Sequence, residues 1–263
     1  MFLIAILFSG TLAWIAMGIG EWIPVEGRVQ AYWPSIYSFI GGLLFGVGAS
    51  VNGGCGVSTV SRLARGELVM TSTIFGWLAG WVIFLPLLSF SDTKSEITLF
   101  DGGQYMLLVP LTLVLGAVIF RMQKDNQKLW LSMLGIGLMA GIVFVIEPHW
   151  TPSGLLKSIS LSLWHQDESV WPELPRFLLM AALLSGMISA AVIAKTFDLR
   201  GFKILGLTKH LCAGILMGSG TVMANGGNDT QLLVAMPALS LAGYASVISI
   251  IIGIYVGLKV SSH

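Results

Sequence analysis

Charge is what this sequence has least of. Only 10% of its 263 residues are Asp, Glu, Lys or Arg, against about 25% in a soluble domain. The net charge of +1 selects no class of partner, nucleic acid included. Cysteine is nearly missing as well. Cys55 and Cys212 stand in different apolar segments and form no CxxC pair, which leaves neither a disulfide framework nor a thiolate zinc site. The four histidines, His149, His165, His210 and His263, include no pair at helical ligand spacing, so no metal and no cofactor is expected. There is no GxxxxGK[ST] stretch, hence no phosphate loop and no sign of ATP hydrolysis in this chain. Alternating strands of the barrel type are absent too.

Hydrophobicity takes the place of charge, at 55% of the residues with a mean hydropathy of +0.85. A helix needs roughly 20 apolar residues to cross about 30 Å of hydrocarbon. Six continuous runs qualify, near 2–20, 68–90, 105–121, 129–146, 176–195 and 238–258. Two more, near 35–65 and 207–237, are apolar but interrupted. The expected fold is an all-α integral membrane protein of about eight membrane segments, two of them broken or re-entrant. The first run has no basic n-region and leads straight into another apolar segment, which argues against a cleaved signal.

Loop charge orients the spans, because Lys and Arg concentrate on the cytoplasmic side. Residues 121–128 carry Arg121, Lys124 and Lys128 against Asp125, and residues 195–209 carry Lys195, Arg200, Lys203 and Lys209 against Asp198. Both read as cytoplasmic. Residues 91–104 (Asp92, Glu96 and Asp101 against Lys94) and 147–176 (Glu147, Asp167, Glu168 and Glu173 against Lys157 and Arg176) read as external. Trp150, Trp164 and Trp171 in the latter suit the headgroup level. If both interrupted segments cross fully, they run in opposite directions, the inverted-repeat arrangement of many secondary transporters. If both dip and return, they are re-entrant loops of one sense. The crossing form is favoured here.

The interrupted segments resemble each other. Gly42, Gly46 and Gly48 match Gly214, Gly218 and Gly220 at equal spacing, and after one extra residue Asn52-Gly53-Gly54-Cys55 matches Asn225-Gly226-Gly227-Asn228. An internal repeat is expected, within a single transmembrane domain over 1–263: a first half over 1–104, a central hairpin over 105–146 and a second half over 147–263. The spaced glycines alone suit close helix packing. Consecutive glycines after Asn do not, since each costs about 1 kcal/mol inside a helix. They predict two unwound stretches near mid-membrane, where bare backbone is tolerated only inside protein or beside a polar cavity. Paired breaks of this kind point to a transport site.

After the first break, Val57 to Arg65 reads as a half-helix carrying Ser58, Thr59 and Ser61. Its free N–H groups and positive end would face the break and favour an anion. Arg62 and Arg65 either add an anion-attracting cytoplasmic mouth or simply anchor the membrane end. Cys212 reads as a buried small hydrophobe. Cys55, between Gly54 and Gly56 at a predicted helix N-terminus, is a candidate functional thiol. Asn228 and Asp229 occupy the matching point of the second copy. An intramembrane carboxylate is a functional candidate, and it is also a common helix cap.

The block GxGxxxNGGCGVSTVSRLARGE (46–67), with its degenerate second copy, resembles the YeeE/YedE family of sulphur-compound transporters. The resemblance implies a bacterial inner-membrane protein and a thiosulfate-like substrate. It also implies a narrow central passage in which motif cysteines hand an anion along by contact with its terminal sulphur. Cys55 matches the first-copy cysteine. Asn228 stands where the family has a second, and residues 1–54 contain none, so a relay of several thiols is impossible. The passage residues expected are Asn52, Gly53, Gly54, Cys55, Gly56, Ser58, Asn225, Gly226, Gly227, Asn228 and Asp229. The rival readings are a membrane component handing sulphur to a cytosolic carrier protein and a channel for another small solute. An enzyme using Cys55 ranks last, because no His or carboxylate lies within a helical turn of that thiol to activate it.

Overall fold

The computed structural model describes residues 31–88, 108–147, 150–165, 171–201, 204–236 and 240–261. The expected first span and the acidic 91–104 loop lie outside the described residues. Among those described, every regular element is helical: α1 (Ile36–Asn52), α2 (Gly56–Ala64), α3 (Met70–Leu88), α4 (Leu108–Phe120), α5 (Lys124–Ile146), α6 (Pro152–His165), α7 (Leu174–Ile193), α8 (Ile204–Met223), the single turn α9 (Asn228–Thr230) continuing into a π-helical turn (Gln231–Ala235), and α10 (Leu241–Ser261).

Three stretches are long and apolar enough to cross a membrane: Ile36–Ala64, which takes in α1 and α2, Leu174–Ile193 and Leu241–Val260. Met70–Pro86 is apolar but shorter. The described part of α4 has 13 residues, about 20 Å of rise, and lies inside the span expected near 105–121. The 147–176 stretch, read from sequence as a loop, contains the 14-residue helix α6. Its start follows from local chemistry. Thr151 accepts the Gly154 N–H at 3.1 Å, and Pro152 occupies the first helical position, where a missing N–H costs nothing.

The chain forms two compact units. One holds the described residues of 1–33, 94–148 and 230–244. In it, α4 and α5 form a hairpin closed by Ile119 and Trp130, with Met122 and Leu134 against them. The Tyr32 backbone is tied to Ser240 and Ala242.

The second unit holds the described residues of 34–93, 149–229 and 245–263. Its helices approach to backbone contact. A Cβ on Gly48 would meet Ala213 and Met217 of α8, and one on Gly220 would meet Gly41 and Phe45 of α1. With Asn52 opposite His210, α1 and α8 run antiparallel. Gly42 and Gly46 abut Ser246, Ser249, Ile250 and Gly253, so α10 runs parallel to α1. Gly214 and Gly218 abut Thr73, Gly76, Trp77 and Gly80, so α3 runs parallel to α8. Small residues permit this spacing, and dispersion contacts between the backbones hold it. Phe45, Ala49, Trp77, Trp81, Met217, Val222 and Ile250 form the buried cluster between these helices.

Candidate functional site

The first break is a helix stop followed by a restart. Gly53 takes the left-handed conformation (φ 76°). Its N–H bonds the Ser50 carbonyl at 3.1 Å, and the Gly54 N–H reaches back to Ala49 at 2.8 Å. This is the Schellman pattern, which glycine serves without a Cβ penalty. The second break repeats it. Asn225 (φ 58°) bonds Val222 at 3.2 Å, and the Gly226 N–H reaches Thr221 at 2.9 Å.

The caps correct the sequence register. Gly53 corresponds to Asn225, so Asn52 and Asn225 do different jobs. Asn52 ends α1 with its side chain 1% exposed, whereas Asn225 is an exposed cap. Asn is the non-glycine residue that best tolerates the left-handed region, and this is why the two look alike in sequence. Nor do the caps share one level. With Asn52 opposite His210 and Gly41 opposite Ala224, they stand about 17 Å apart along α1 at 1.5 Å per residue.

Cys55 is the extended residue before α2 (φ −78°, ψ −178°), and its side chain caps nothing. The first helical bond runs from the Thr59 N–H to the Cys55 carbonyl at 2.8 Å. The N–H groups of Gly56, Val57 and Ser58 therefore lie outside the helical ladder. Cys55 is half-buried and packs against the aromatic cluster. A Cβ on Gly56 would enter the Trp77 ring, itself 1% exposed and held by its Nε1–H to Thr221 Oγ1 at 3.1 Å. Only glycine lets α2 start here.

Ser58, expected in the passage, and Arg62, expected at the cytoplasmic mouth, both hold the break. The Ser58 hydroxyl donates to the Cys55 carbonyl at 2.9 Å. Arg62 donates from Nη1 to the Asn52 carbonyl at 2.8 Å, an orphan of the α1 terminus, and pairs through Nη2 with Glu67 at 2.7 Å. This hydrogen-bonded guanidinium holds the Glu67 carboxyl below the usual glutamate range. Arg65 is exposed and donates to the Ser61 carbonyl at 3.3 Å. Beside it, the Asp198 and Arg200 N–H groups bond the Arg65 and Gly66 carbonyls at 2.9 and 3.0 Å, so two loops of like charge character lie together.

At the second break, Asp229 is 4% exposed, and both its oxygens lie 2.8 Å from the Ser153 hydroxyl. Asn228 opens α9, two residues before the expected half-helix start, and its Oδ1 is buried without a hydrogen-bond partner. A Cβ on Gly227 would press on Asp229 and Ser153. The helix missed from sequence therefore links the two breaks: Ser153 of α6 meets Asp229, and Leu156, one turn on, packs on the cluster that Cys55 joins. His210 and Thr73 were missed too. Both bond the Asn52 side chain, and nothing in their spacing to residue 52 announces it. Among the described residues no cluster of His, Cys, Asp and Glu is arranged to hold a metal.

A glycine-packed helical protein with membrane-crossing helices and paired helix breaks belongs to the class of multi-pass membrane proteins. The model of the sulphur-transport family matches residues 1–128 and again 116–256. The chain belongs to that family, the YeeE/YedE sulphur transporters. No curated protein matches it.

Proposed function

We propose that the protein carries a small sulphur-containing anion of the thiosulfate type across the bacterial inner membrane, past Cys55 and the two helix breaks. The observation that carries this reading is the half-buried thiol at the uncapped N-terminus of a nine-residue helix, inside a chain of the sulphur-transport family. Three unbonded N–H groups and the partial positive charge of α2 favour an anion beside Cys55. The polarisable thiol suits a terminal sulphur, and the aromatic cluster behind it excludes water. Asn228 adds a buried amide with unused hydrogen-bonding capacity. A half-turn of that amide presents either its oxygen or its NH2. Asp229, held by Ser153, keeps the second break closed around it.

The same reading includes an inverted repeat. Its support is the paired packing: α1 meets α10 as α8 meets α3, with each glycine pair facing the helix that follows the other break. Residue numbers differ by 172 up to the caps (Gly48 and Gly220, Gly53 and Asn225) and by 173 beyond them (Thr73 and Ser246, Gly80 and Gly253). A π turn adds one residue to a helix, and Gln231–Ala235 falls between. The paired 65–67 and 198–200 loops then form the cytoplasmic face, with Arg65 and Arg200 exposed on it.

The test is uptake of radiolabelled thiosulfate, sulfite, sulfide and sulfate into proteoliposomes of the purified protein. The proposal expects saturable thiosulfate uptake, competed by sulphur anions with a terminal sulphur and not by sulfate. Equal competition by sulfate removes the thiol from the recognition step. Saturable uptake only on adding a sulphur-carrier protein favours the handing-over role instead.

A further inference from the structure

The Asn52 side chain is oriented without ambiguity. Its Nδ2 lies 2.9 Å from the Gly54 carbonyl and 2.7 Å from Thr59 Oγ1. A carbonyl only accepts, so the nitrogen must face it. Oδ1 therefore faces Thr73 Oγ1 and His210 Nδ1, each at 2.8 Å, and His210 must carry a proton on Nδ1. The bonds then run one way. His210 donates to Asn52, Asn52 donates to Thr59, and Thr59 donates to the Cys55 carbonyl at 3.0 Å. The two hydrogens of the amide and both acceptor positions of its oxygen are used, in a side chain 1% exposed.

We propose that His210 is a positioning residue for Cys55: from α8 it fixes, through Asn52 and Thr59, where the break presents the thiol. The restart of α2 has no side-chain cap of its own, so its place is set from outside. Asn52 supplies that anchor only while donors from α3 and α8 hold its oxygen. This rests on the reading that Cys55 meets the substrate, but the position of the thiol can be read without transport.

The experiment uses the Cys212→Ser protein, in which Cys55 is the only thiol, reconstituted in proteoliposomes. N-ethylmaleimide alkylation of Cys55 is timed in that protein and in His210→Ala, His210→Asn and Thr73→Val. An asparagine amide at 210 can place an N–H near the Nδ1 position. Loss of a donor from a buried acceptor should shift the alkylation rate about tenfold in His210→Ala, with His210→Asn returning most of the way to the parent. Thr73→Val keeps its shape and removes the other donor, and should shift the rate in the same direction. Thiosulfate uptake should show a raised KM in His210→Ala with Vmax changed less. Alkylation at the parent rate in both His210→Ala and Thr73→Val overturns the proposal, as does a shift that His210→Asn does not reverse. If the parent takes up no thiosulfate, the transport reading fails on its own while alkylation still decides this one.

Discussion

Cys55 and Cys212 share a thiol and nothing else. Cys55 sits in extended backbone against an aromatic cluster. Cys212 is exposed on α8, beside an open groove lined by Leu205, Gly206, Thr208 and Lys209. Cys212→Ser should therefore keep the parent uptake rate, checked by initial rates in proteoliposomes. The two asparagines also part company. Asn52→Ala strands the His210 and Thr73 donors and the Gly54 and Thr59 acceptors, and several lost buried partners at about 1–3 kcal/mol each should lower Tm markedly. Asn225→Gly exchanges one left-handed residue for the one with no Cβ penalty and should leave Tm unchanged or raised. Equal losses in the two variants would restore the equivalence suggested by sequence. That equivalence was misleading because an Asn-Gly-Gly string fits a left-handed cap in either of two frames. Only the hydrogen bonds to Ala49 and Thr221 choose between them.

Among the elements, α2 was legible because Gly-Gly, a thiol and a run of Ser and Thr mark a stop and a restart. The helix α6 was not. Its buried face is made largely of Ser153, Ser158, Ser160 and Ser162, which weakens the apolar period that announces a helix. Thr151-Pro152 was the available signal. The restart of α2 against Trp77 predicts that Gly56→Ala overpacks a ring that cannot move, at a cost of about 1–3 kcal/mol, seen as a lower Tm. The loop after α2 gives a pH test. Glu67 has its pKa lowered by its Arg62 partner. A depressed carboxylate pKa contributes stability above the unfolded value, and this is lost as pH falls through the folded one. The parent should lose thermal stability as pH drops below the ordinary glutamate value of 4.5, and Glu67→Gln should lose less over that interval. Identical profiles would mean that the pair contributes nothing.

At the scale of the molecule, membrane class and helix content followed from composition alone, because 10% charge leaves too little polar surface for water. Loop charge gave the antiparallel sense of α1 and α8 only on the condition that both interrupted segments cross; the glycine contacts of the two helices show that sense directly. The packing between helices did not follow, since glycines can face any neighbour, and the sequence does not say that Gly42 meets α10 while Gly214 meets α3. Nor did the sequence say whether the two unwound stretches meet. The caps stand apart along the α1–α8 pair, and it is α6 that lies between the breaks. All of this converges on one claim, that Cys55 meets the transported sulphur. The direct test is initial-rate thiosulfate uptake by Cys55→Ser beside Cys212→Ser, each monodisperse and equally reconstituted. The account predicts loss of at least about tenfold, or ~1.4 kcal/mol, in Cys55→Ser alone. Parent-like uptake by Cys55→Ser would contradict it and leave the broken helices as a pore that needs no thiol.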